Sequence, residues 1–139
     1  IHYHHCLCKD YHLGGMHISP YHMSQTPHRC NGTISRSCHS IDEIVSFKSS
    51  YDYLFLSPIF NSISKQGYHG AFSASQLQEA QQKGIIDNKV IALGGITANN
   101  LSVVKQLGFG GAALLGDVWQ HAGTKKLDNY LNQLICQIK

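Results

Sequence analysis

The chain is poor in charge: Asp, Glu, Lys and Arg make up only 14% of its 139 residues. The eleven Lys and Arg form no basic block, which argues against a nucleic-acid or membrane-surface partner. No apolar run approaches the roughly 18 residues needed to span a bilayer. No signal-peptide pattern opens the sequence, so a cytoplasmic protein is expected. The five cysteines (Cys6, Cys8, Cys30, Cys38, Cys136) are odd in number and lack framework spacing, so reduced thiols are expected. Linkers and internal repeats are also missing, which leaves a single domain over residues 1–139.

What is present is a hydrophobic content of 42%, enough to bury a core, and ten histidines. His2 and His4 would share a face if "IHYHHCL" were a strand, with His5, Cys6 and Cys8 close behind. None of the spacings of known metal-ligand sets occurs, so a polar strand end with surface histidines is the plainer reading.

Short apolar runs alternate with helical patterns. "YDYLFLSPIF" (51–60), "KVIALGGI" (89–96) and "GGAALLGDVW" (110–119) read as buried strands. "SASQLQEAQQKG" (73–84) reads as a helix stopped by Gly84, and "TANNLSVVKQLG" (97–108) as a helix capped by Thr97. The last sixteen residues predict an amphipathic helix with Leu127, Leu131, Leu134, Ile135 and Ile138 on one side. In the front third, "IHYHHCL", "GGMHIS" and "GTISRSCHS" suggest strands. "SIDEIVSFK" (40–48) suggests a helix opened by a Ser40–Glu43 capping box.

Six strand candidates, most followed by a helix, imply a parallel α/β sheet. A doubly wound sheet and a (β/α)8 barrel both fit. A barrel needs at least about 200 residues, so here it would lack its first two βα units.

Ligands of parallel α/β proteins gather at the C-terminal strand ends. Four such ends carry chemistry: "SRSCHS" with Ser37, Cys38 and His39; "SPIFNSISKQGY" with Ser62, Ser64 and Lys65; "LGGIT" with Gly94 and Gly95; and "LLGD" with Gly116. Glycines at a strand-to-helix turn let backbone N–H groups approach a phosphate, and hydroxyls with a lysine add hydrogen bonds and charge. Ser37, Cys38 and His39 do not make a nucleophile–base pair, because neighbours on a strand face opposite ways.

The ordered set "GMHIS", "SRSCHSIDE", "DYLFLSPIFNSISK", "VIALGGITANN" and "GFGGAALLGD" resembles the thiamine phosphate synthase and thiazole tautomerase family. The resemblance implies a (β/α)8 barrel whose N-terminal part precedes Ile1. It also implies a transferase that joins hydroxymethylpyrimidine pyrophosphate to hydroxyethylthiazole phosphate, with Mg²⁺ and release of pyrophosphate. On that likeness Ser37 contacts the pyrimidine, while Ser62, Ile63 and Ser64 hold the thiazole phosphate. Lys65 is the catalytic residue at the pyrophosphate, and Gly95, Leu115 and Gly116 close around the thiazole phosphate. Small phosphorylated substrates and a homo-oligomer are the implied partners.

Two departures stand out. Where the family carries Mg²⁺-binding acids, this sequence has His22 in one place and His2, Tyr3 and His4 in the other. Histidine is a poor Mg²⁺ ligand. Pro58 stands where the tautomerase branch carries a histidine, which favours the synthase. A tautomerase and a non-catalytic phosphate-binding remnant are the alternatives.

Overall fold

Among the described residues, five short strands pair in parallel in the order in which they occur along the chain: β1 (Gly15–Ile18), β2 (Thr33–Cys38), β3 (Tyr53–Leu56), β4 (Val90–Leu93) and β5 (Gly111–Ala113). The computed structural model describes residues 1–19, 31–61, 70–124 and 126–138. Six helices among these residues complete the order: α1 (Leu7–Asp10), α2 (Ile41–Phe47), α3 (Ala74–Gln82), α4 (Leu101–Gln106), α5 (Gly116–Trp119) and α6 (Leu127–Ile138).

Strand side chains alternate between two faces, and the burial follows that alternation. Met16, Ile18, Ile34, Cys38, Leu54, Leu56, Val90 and Ala92 are buried on one face. There they meet Cys8 of α1, Ile44 of α2, Leu77 and Ala80 of α3, Leu101 and Val104 of α4, and Leu134 of α6. The opposite face carries His17, Ser35, Ser37, Tyr53, Phe55, Ile91 and Leu93, brought into rows by the register. A doubly wound sheet reverses its strand order and carries helices on both faces. Sequential order with these helices on one face is the barrel-type arrangement.

Local chemistry explains the starts of α2 and α3. Ser73 Oγ accepts from the Gln76 N–H at 3.2 Å while Gln76 Oε1 accepts from the Ser73 N–H at 2.8 Å, a complete capping box. Ser40 Oγ accepts from the Glu43 N–H at 3.1 Å, but the Glu43 carboxylate reaches the N–H of His39, one residue further upstream than expected. Gly84 ends its helix at φ +67, which suits glycine.

Four expectations need correcting. "IHYHHCL" is no strand: His4 has φ +54 and Leu7–Asp10 turn into α1. Ile1 pairs with β1, donating to Gly15 O and accepting from the His17 N–H in the parallel-ladder pattern. Thr97 does not cap α4. Asn100 precedes the helix, its Oδ1 accepts from the Thr97 N–H and its Nδ2 donates to Gly95 O, which holds residues 95–100 as a turn. The strand expected over 110–119 ends at Ala113, and Gly116–Trp119 coils into α5. On α6 the apolar side is only partly covered: Leu134 is buried, Leu127 half-buried, and Leu131 and Ile135 are exposed. The Ile138 side chain lies outside the description.

Candidate functional site

Parallel strands place all their C-terminal ends along one edge of the sheet, so the topology alone gathers Ser37, the turns after β3 and β4, and the turn after β5. Ser37 sits on the face away from the helices, half-buried, while its neighbour Cys38 is fully buried among them. Burial first, and then the Glu43 carboxylate, push the Cys38 thiol up to about 11, with Arg36 pulling the other way. Cys38 is an inert core thiol.

The Ser37 hydroxyl has a partner that the sequence reading missed. His17 Nε2 lies 2.9 Å from Ser37 Oγ, and its Nδ1 lies 2.9 Å from Ser35 Oγ. The ring packs edge-on against Phe55 and beside His2. Burial, followed by the nearby His2, the N-terminal ammonium and His5, holds the His17 imidazole below its ordinary range. A signal was present in the sequence: His17 interrupts the apolar pair Met16 and Ile18, so alternation turns it to the opposite face. His39 has a structural part, its Nδ1–H donating to the Ser57 carbonyl at 3.0 Å.

The turns after β3 and β4 are locked together. The N–H groups of Ile59 and Phe60 donate to Leu93 O and Gly94 O at 3.0 and 3.1 Å, continuing the pairing beyond the strands. Gly94 and Gly95 have φ of +94 and +64. A Cβ on Gly94 would stand 2.9 Å from Pro58 Cα, and one on Gly95 only 2.3 Å from Asn61 O. Both glycines are required by close backbone approach as well as by their left-handed conformation.

Residues 62–69 lie outside the described residues, and with them Ser62, Ile63, Ser64 and Lys65; His22 does too. The flanks of that segment are bonded to one another. The Gly70 N–H donates to Asn61 Oδ1 at 2.8 Å, and the Ala71 N–H to Pro58 O at 3.0 Å. Asn61 itself lies against Gly95.

After β5, Leu115 is exposed and Gly116 opens α5. Asp117 is buried, and its Oδ2 accepts from the Ala98 N–H at 3.2 Å and from the Tyr130 hydroxyl. That carboxylate ties the turn after β4, the start of α5 and α6 together, a bracing role that sequence reasoning did not assign. Among the described residues no group of three or more His, Cys, Asp or Glu side chains is arranged to hold a metal ion. A cavity of about 330 Å³ between α3 and α4, lined by Phe60, Phe72, Leu77, Val103 and Leu107 among others, has no titratable side chain in its wall. No helix among the described residues is long and apolar enough to cross a membrane.

A family model described as thiamine monophosphate synthase matches residues 4–118. The thiamine-phosphate synthase of Latilactobacillus sakei is 31% identical over 99 residues, 70% of this chain and 43% of that protein. That of Rhodopirellula baltica is 29% identical over 93 residues, 65% of this chain and 25% of that protein. The chain spans less than half the length of these curated relatives. Among solved structures, a thiamine phosphate pyrophosphorylase from Bacteroides thetaiotaomicron superposes with a TM-score of 0.73 at 40% identity, over 98% of this chain and 64% of that one. The Pyrococcus furiosus protein of the same description gives 0.72 at 20% identity over 99% and 65%, a likeness of fold alone. The match covers the strands and turns that build the edge described above, and the chain belongs to the thiamine monophosphate synthase family.

Proposed function

We propose that the protein joins hydroxymethylpyrimidine pyrophosphate to hydroxyethylthiazole phosphate, the transferase step of thiamine biosynthesis, and that residues 1–139 form part of its (β/α)8 barrel. The observation that carries this reading is the locked pair of turns after β3 and β4. It brings Asn61, the residue just before the Ser62–Lys65 segment, against Gly95. Sequential strand order supports the barrel, as does Ile1, which sits against β1 where a preceding parallel strand would run.

In this reading the thiazole phosphate is held by Ser62, Ile63 and Ser64, by the turn at Gly95, and by the backbone at Leu115 and Gly116. Gly116 opens a helical turn whose first amides have no intrahelical acceptor, a geometry suited to an anion. Ser37 contacts the pyrimidine. The bond from the pyrimidine methylene to the pyrophosphate oxygen breaks with its electron pair on oxygen, and the thiazole nitrogen forms the new bond to that carbon. Lys65 stabilises the departing charge, and the rest of the site works by positioning.

Mg²⁺ is expected from the family, where it would neutralise pyrophosphate. The described residues do not fit it. His2 and His4 offer nitrogen rather than oxygen, no acidic cluster stands beside them, and His22 lies outside the description. The steps assigned to the chain's own groups are therefore binding and positioning.

The full chain, incubated with both substrates and Mg²⁺, should release pyrophosphate, and Lys65→Ala should release at least about a hundredfold less. Equal release by the wild type and by Lys65→Ala would refute the assignment.

A further inference from the structure

Ser37, His17, Ser35 and the Met16 carbonyl form one hydrogen-bonded chain. The steps are 2.9 Å from Ser37 Oγ to His17 Nε2, 2.9 Å from His17 Nδ1 to Ser35 Oγ, and 3.5 Å from Ser35 Oγ to Met16 O. A carbonyl only accepts, and a neutral imidazole has one N–H and one bare nitrogen. Two proton arrangements follow. In the first, Ser35 donates to Met16 O, His17 Nδ1–H donates to Ser35, and Ser37 donates to the bare Nε2. In the second, Ser35 donates to Nδ1 and Nε2–H donates to Ser37.

The first arrangement makes three hydrogen bonds within the chain, the second two. Ser35 is buried and the ring is packed against Phe55, where each bond made in place of one to water counts for more. We propose that His17 is a positioning residue whose bare Nε2 accepts the hydrogen bond of the Ser37 hydroxyl, so that Ser37 Oγ meets a bound ligand as a hydrogen-bond acceptor and selects an N–H or O–H donor. For the identity of the ligand this rests on the synthase reading: on an aminopyrimidine the matching group is the exocyclic amine.

The test has two arms. In the first, long-range proton–nitrogen NMR on the free protein reads the His17 tautomer without any ligand. A protonated Nδ1 with a bare Nε2, whose signal moves in Ser37→Ala, is the expected result. A protonated Nε2 overturns the proposal. In the second, calorimetry compares the aminopyrimidine pyrophosphate with its oxo counterpart, which presents a carbonyl at the same point. The wild type should prefer the amine by about tenfold or more, and Ser37→Ala and His17→Phe should both reduce that ratio to about twofold or less. A tenfold preference kept by both variants would sink the idea. If neither compound binds the wild type, the synthase reading fails, while the tautomer measurement still decides where the proton lies.

Discussion

Gly95 and His17 show how single positions set this edge of the sheet. At Gly95 a methyl group would meet both a left-handed backbone and the Asn61 carbonyl. Gly95→Ala should therefore lower the stability to denaturant by more than about 2 kcal/mol, and an unchanged urea midpoint would contradict the packing described. His17 carries a pH signature. Its folded imidazole binds a proton less readily than the ordinary 6.5, through burial first and then neighbouring positive charge. In the window below 6.5 the unfolded chain holds more protons, so stability rises with pH across that window and is lost as pH falls through it. His17→Phe should flatten this slope between about pH 5 and pH 7 in urea titrations; an identical slope would remove His17 from the account. Neither residue was singled out for these reasons in the sequence. A glycine pair announces a turn, but the neighbour that forbids a side chain there comes from another segment.

Elements are joined by a few polar side chains as well as by apolar packing. Lys48, directly after α2, spends its three N–H groups on Gly84 O at 2.8 Å, Ile85 O at 2.9 Å and the Asp87 carboxylate at 2.7 Å. This clasps the end of α2 to the turn that follows α3. Lys48→Met keeps the aliphatic stem and removes all three bonds, and should cost about 1–2 kcal/mol in chemical unfolding. A loss below a few tenths would show that water replaces the ammonium without penalty. Helix starts were legible because capping is local: Ser40 and Ser73 act within three residues of themselves. The start of α4 was not, because Asn100 competes for the backbone on both sides of it and outweighs Thr97. The front segment misled for a related reason. Alternating histidines match the period of a strand, yet His4 takes a left-handed conformation soon after Ile1 pairs with β1, and Cys8 turns into the core beside Met16 and Ile34.

At the scale of the molecule, the apolar face of the sheet and the helices over it make one continuous core centred on β3 and β4. Strand β1 has a separate, smaller cluster of Cys8, Met16, Ile18 and Ile34. Protection should follow that division. In hydrogen-exchange mass spectrometry, peptides covering Leu54–Leu56 and Val90–Leu93 should exchange slowest, and those covering Gly15–Ile18 markedly faster. Uniform protection across the five strands would mean that the two clusters unfold as one.

The order of motifs, the alternation of β and α segments and the turn glycines were readable in the chain because each depends on periodicity or on residues a few positions apart. They were enough to place Ser37 and the Gly94–Gly95 pair at strand ends and to point to a family that the comparisons then showed. Tertiary structure alone decided what those positions touch. Ser37 meets His17 across 20 residues of sequence, Asp117 meets Tyr130 and Ala98 from two different elements, and Gly95 is pressed against Asn61. Contacts of that kind depend on strand register and on the approach of separate loops, which no local pattern encodes.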